Sequence, residues 1–156
     1  MGLPVHHTTF TVVRDLPGSP RHAYRFWSEH QLKRQWNSCH PDWTVLEDAF
    51  DFRVGGAETM RWRTADGVEQ VFAAHYLDIQ PRERIIYAYV MQIGGEPLSS
   101  SLVTVEFSLA DKGTLMTFTE QAAFRDAAVA AERQSGTGGG FDRLALVIER
   151  ELATSH

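Results

Sequence analysis

Disulfide bonding is the first possibility this sequence removes. Cys39 is the only cysteine in 156 residues, so no internal disulfide can form and no multi-cysteine metal site exists. Long apolar runs are missing too. Nowhere do about 18 apolar residues stand together, as a transmembrane helix requires. The N-terminal MGLPVHHTTFTVVRD has no charged segment leading into an apolar core. It is therefore not a secretory signal, and a cytoplasmic protein without membrane insertion is expected. Lys/Arg runs are absent, and 15 basic residues stand against 20 acidic ones for a net charge of -5. That balance argues against nucleic acid as a partner. No G-x-S-x-G elbow, P-loop or dinucleotide glycine pattern occurs. Cys39 and His40 are adjacent, but two ligands in one loop do not make a zinc site. No cofactor and no metal is assigned.

What remains is an ordinary globular composition, 43% hydrophobic and 22% charged, at a length that fits one domain over 1–156. The order of elements is more informative. HTTFTVVR (7–14) is β-branched and reads as a strand. After LPGSP, Ser19 is placed to cap a helix that has Pro20 at its first position and Ala23, Phe26 and Trp27 on one face. HQLKRQW reads as a second short helix with Leu32 and Trp36 on one side. From Trp43 onward come WTVLEDAF, ETMRWRT, VEQVFAAHYLDI, RIIYAYVMQI, SLVTVEFSL and TLMTFTEQAAF, joined by short turns such as ADG and DKG. The chain ends in an amphipathic helix over Thr137–Leu152, with Phe141, Leu144, Ala145, Ile148 and Leu152 recurring at helical spacing. Ahead of it, RDAAVAAERQSGTGGG is Ala-rich and helix-prone in its first half. Its Gly-rich second half reads as a flexible loop, a lid hinge over whatever lies beneath.

This order, a strand, two short helices, antiparallel strands and a long final helix, is the helix-grip arrangement. The fold class expected is α+β: a curved sheet of six to seven antiparallel strands wrapped around the C-terminal helix, with a cavity between them. The residues are similar to one branch of that fold. FWSEHQLKRQW resembles a helix ending in Lys-x-x-Trp, RVGGAETMRW a Gly-Gly step into a strand, and YLDIQPRERIIYAY a turn into an aromatic strand. GTLMTFTEQAAF and GGGFDRLALVIEREL complete the pattern. Together they resemble the heat-shock-chaperone ATPase activator homologue family within the START/Bet v-like superfamily. The resemblance implies binding of a hydrophobic small molecule, aromatic or lipid-like, with a homodimer as a possible assembly. Two departures fall near the expected cavity. Asn37-Ser38-Cys39-His40-Pro41 replaces a Trp-x-x-Pro step after Trp36, and Glu120 stands where a histidine is common.

Strand parity nominates the lining. Met60 and Trp62 share a face, as do Phe72 and Tyr76, then Tyr87, Tyr89 and Met91, then Met116, Phe118 and Glu120. With Trp27, Trp36, Phe141, Leu144, Ala145 and Ile148, these are the candidate ligand-binding residues. His75 has the opposite parity and falls outside the set. Period-2 patterns do not separate a hollow interior from a packed one. An inward Glu120 must be hydrogen-bonded or paired, whether with a ligand group or with a base such as Arg61 or Arg63; Glu58 has the same ambiguity. No paired catalytic set stands at a diagnostic spacing, so no catalytic residue is assigned. The alternatives are a polyketide cyclase-like enzyme using a pocket carboxylate, or a co-chaperone or interaction module using a surface aromatic such as Trp43.

Overall fold

The computed structural model describes residues 5–154. Its first strand, β1 (His6–Pro17), runs past the expected end at Arg14 and takes in the first proline of LPGSP. Pro17 is tolerated there because β1 is an edge strand, where a missing N–H costs little. The Ser19 hydroxyl accepts a hydrogen bond from the backbone N–H of His22 at 3.2 Å and caps α1 (Pro20–Ser28), which buries Ala23, Phe26 and Trp27. Helix α2 (His30–Arg34) is shorter than expected. The chain leaves the helix before Trp36, so Leu32 and Trp36 do not share a helical face. Lys33 is the buried helical position instead.

Six strands follow: β2 (Thr44–Phe50), β3 (Ala57–Arg63), β4 (Glu69–Gln80), β5 (Arg84–Ile93), β6 (Glu96–Ala110) and β7 (Gly113–Phe124). They form a meander, and β1 returns beside β7 to give one seven-stranded antiparallel sheet in the order β1-β7-β6-β5-β4-β3-β2. The register shifts at Val45/Glu47, Tyr76/Asp78 and Met91/Gln92, bulges of the kind that bend a sheet. The parity reading holds along β5 and β7. Ile85, Tyr87 and Tyr89 are buried on one face, as are Met116, Phe118, Glu120, Ala122 and Phe124. His75 is exposed. This is the helix-grip fold.

The last helix departs from expectation. Helix α3 runs unbroken from Ala127 to Thr154, 28 residues, straight through the GTGGG run that sequence alone reads as a flexible hinge. Intrinsic propensity counts about 1 kcal/mol against each internal glycine, but tertiary contacts decide helix formation. Arg14 of β1 donates to the Gly138 carbonyl at 3.4 Å and to Asp142 at 3.0 Å. Val129, Ala130, Phe141, Leu144 and Ile148 bury an apolar face against β1, β7 and α1. Together these hold the glycine turns in register.

Replacing Gly139 with alanine tests this. Its Cβ would meet only the Arg143 guanidinium, at 4.0 Å, so helix propensity should dominate. We expect Gly139→Ala to raise stability by about 0.5–1 kcal/mol in urea denaturation. A hinge at this position would instead lose stability on the same change.

Candidate functional site

Between the concave face of the sheet and the N-terminal half of α3 lies a cavity of about 440 Å³. The aromatic rings of Trp27, Trp36, Phe72, Tyr87, Tyr89, Phe118 and Phe141 form much of its wall, with Met91, Ile93, Leu98 and Val129. The rings support one another. Trp27 and Trp36 approach to 4.9 Å between centroids, Phe72 and Tyr89 to 5.0 Å, and Phe118 and Phe141 to 5.0 Å. The Trp36 indole N–H donates to the Phe26 carbonyl at 2.8 Å, which fixes that ring after α2 has ended.

Two carboxylates line this space, Glu132 at its exposed rim and Glu120 inside it. Glu120 is fully buried on β7. Its Oε2 accepts from the Tyr89 hydroxyl at 2.8 Å, from the Ser101 hydroxyl at 2.7 Å and from the Arg133 guanidinium at 3.2 Å. Arg133 reaches in from α3 and also donates to the Tyr89 oxygen at 2.7 Å and the Ser99 hydroxyl at 2.8 Å. Burial, with the Glu120 charge beside it, pushes the Tyr89 hydroxyl above its ordinary range and keeps it a protonated donor. The base that meets Glu120 is thus Arg133. Arg61, one of the two considered from sequence, is paired with Glu69 at 2.7 Å.

Of the other sequence candidates, Met60, Trp62, Tyr76, Met116, Leu144, Ala145 and Ile148 lie off the cavity. Met60 and Met116 are buried, Met116 within the main apolar core, and Trp62 stacks on Trp43. Leu144 and Ile148 are fully buried and Ala145 partly so, all beyond the cavity's end of α3. The helical wall is therefore formed by Val129, Glu132, Arg133, Gly136, Thr137, Gly140 and Phe141, a stretch that runs through the glycines expected to form a hinge. Their three-and-four spacing is present in the sequence but is masked by the glycines. Asn37, Ser38, Gln70 and Arg143 complete the lining. Asn37 and Ser38 fall within the departure noted after Trp36.

A second buried carboxylate sits beside the cavity. Glu58 on β3 accepts from the Lys33 ammonium at 2.6 Å, from the Tyr76 hydroxyl at 2.5 Å and from Arg34 at 2.8 Å. Arg34 also binds Asp48 at 2.8 Å, and His30 meets the same carboxylate at 3.0 Å. The Lys33 ammonium is ringed by Trp27, Phe50, Tyr76 and Tyr87 at 5.6–6.0 Å. Burial lowers the Lys33 pKa despite the Glu58 charge. Burial alone would raise Glu58, but the charges of Lys33 and Arg34 outweigh it and hold the carboxyl below its usual value. Among the described residues no group of three His, Cys, Asp or Glu could hold a metal, and no helix is long and apolar enough to cross a membrane.

The depressed Glu58 pKa has a definite sign. The unfolded chain binds more protons than the native one between the native and ordinary carboxylate values, so stability is full above about pH 4.5 and falls as acid titrates Glu58. We expect thermal melts between pH 2 and 5 to show a flatter acid limb for Glu58→Gln than for the parent. At neutral pH, Lys33→Met should cost about 3 kcal/mol by leaving a buried carboxylate short of a cation. Adding Glu58→Gln should recover part of that loss.

Comparison with known proteins places the chain. A family model described as Activator of Hsp90 ATPase homolog 1-like protein matches residues 17–149. A solved protein of Rhizobium leguminosarum is 42% identical, with 94% of this chain and 97% of that chain covered at a TM-score of 0.87. The Mll3558 protein of Rhizobium loti is 39% identical, with 92% and 99% covered at 0.85. An AHSA1-like protein of Aeromonas hydrophila shares the fold at 20% identity, with 92% and 94% covered and a TM-score of 0.67. No curated protein matches the chain. The chain belongs to the family of Activator of Hsp90 ATPase homolog 1-like proteins.

Proposed function

We propose that the protein is a single-domain binder of a hydrophobic, aromatic small molecule held between the sheet and the N-terminal half of α3. The observation that carries this reading is the cavity itself. At about 440 Å³ it falls within the range of about 300–1,000 Å³ usual for ligand pockets, and aromatic rings dominate its wall. A few polar groups, Glu120, Arg133, Gln70 and Asn37, stand at defined places in that wall, which is how such pockets orient a ligand. Glu120 is engaged as a hydrogen-bond acceptor and salt-bridge partner of Arg133. That arrangement favours holding a ligand over abstracting a proton.

Binding of N-phenyl-1-naphthylamine, a neutral fluorescent probe, tests the reading. We expect saturable binding to the native protein. Gly136 lines the cavity, and a Cβ added there would meet nothing within 4 Å. Gly136→Leu should therefore fill space at the helical wall, weaken probe binding by about tenfold and leave the melting temperature unchanged or raised. Failure of the folded parent protein to take up the probe at any concentration would overturn the proposal.

A further inference from the structure

The two oxygens of Glu120 are used unequally. Oε2 collects all three donors, Tyr89, Ser101 and Arg133. Oε1 is buried and accepts from no group among the described residues. By contrast Glu58, the other buried carboxylate, has both oxygens engaged, Oε1 by Lys33 and Tyr76 and Oε2 by Arg34. An acceptor left unmade in a low-dielectric interior is costly, more so when it is charged. Glu120 lines the cavity and Glu58 does not. The free acceptor therefore belongs to the carboxylate that borders the space a ligand would fill.

The charge of the site narrows what that ligand can bring. The charged residues of the lining are Glu120 and Glu132 against Arg133 and Arg143, which sum to zero. Glu120 is already in contact with the cation of Arg133. At the Glu120 end of the pocket a second cation would be desolvated beside the Arg133 guanidinium, and an anion would face the carboxylate. A neutral O–H or N–H group meets neither penalty. It would complete the hydrogen bonding of Oε1 while its ring system lay among Phe72, Tyr87, Phe118 and Phe141.

We infer that, within the pocket proposed above, Glu120 Oε1 selects aromatic ligands that carry a neutral hydrogen-bond donor, such as a phenolic hydroxyl. The substitution Glu120→Gln has a particular consequence under this assignment. Tyr89, Ser101 and Arg133 all donate, so they hold the amide oxygen at the Oε2 position. The amide NH2 then takes the Oε1 position, and the site changes from acceptor to donor.

The test compares 2-naphthol with 2-methoxynaphthalene, which presents an ether acceptor in place of the hydroxyl. Affinities are read by displacement of N-phenyl-1-naphthylamine from the full chain. In the parent protein 2-naphthol should bind at least about tenfold more tightly, as expected for a hydrogen bond to a charged acceptor. In Glu120→Gln, with folding checked by circular dichroism, that preference should vanish or reverse. Equal affinities in the parent would overturn the donor assignment while leaving the pocket reading intact. Tighter binding of 2-naphthylmethylammonium than of 2-naphthol would overturn the neutrality of the donor. Binding of none of these compounds or of the probe would sink the pocket reading and this inference with it. The parent comparison decides the matter even if the variant fails to fold.

Discussion

Two carboxylates buried on the same face of a sheet constrain everything packed against it. Glu58 on β3 and Glu120 on β7 both project inward and are essentially unexposed. A charge buried there needs partners, and each carboxylate draws its cationic partners from a different helix. Lys33 and Arg34 come from α2, and Arg133 comes from α3. Such pairs contribute little net stability once desolvation is counted, but a missing partner is costly. Their effect is to fix where α2 and α3 sit. A helix displaced along the sheet would leave a charge stranded, whereas a displaced Leu would find another apolar neighbour.

The two pairs divide the labour. The Glu58 cluster is saturated and closed, with a ring of aromatics around the ammonium and Arg34 tying it outward to Asp48. It anchors the helical pair whose aromatics, Trp27 and Trp36, wall one side of the cavity. The Glu120 cluster is open on one oxygen and faces the hollow. Tyr87 and Trp27 lie between them, touching the Lys33 cage on one side and lining the cavity on the other. An anchored pair beside an unsaturated one is how a fold can hold a cavity open without collapsing into it.

The strands are legible in the sequence because their period is short and local. Parity alone puts Tyr87, Tyr89, Phe118 and Glu120 on the inward face, and β5 falls where its β-branched and aromatic run lies. The helices are less legible, for physical reasons. Nothing local to Lys33 in the sequence signals burial, which the distant Glu58, 25 residues on, makes tolerable. The hinge reading of GTGGG follows intrinsic propensity, which is a local quantity, while the turns there are held by Arg14, more than a hundred residues earlier. With α3 cut short at Thr137, the stripe of Phe141, Leu144 and Ile148 looks like the cavity wall, and Arg133 has no helix to stand on.

The glycines themselves explain why the cavity is where it is. Along α3, Val129, Arg133, Gly136 and Gly140 succeed one another at helical spacing on the cavity side, and Leu144 and Ile148 continue toward the core. In the first stretch the two glycines stop at hydrogen and Arg133 reaches past to Glu120; in the second the side chains are large and fully buried. The boundary between hollow and filled interior thus falls inside one continuous helix, near residue 140, and follows side-chain volume. Glycine at these positions lowers helix propensity, and alanine would have been the better local choice. Their presence in a helix held by long-range contacts is consistent with space being the property they provide, since a larger residue at either lining position would project into the volume the aromatic wall encloses.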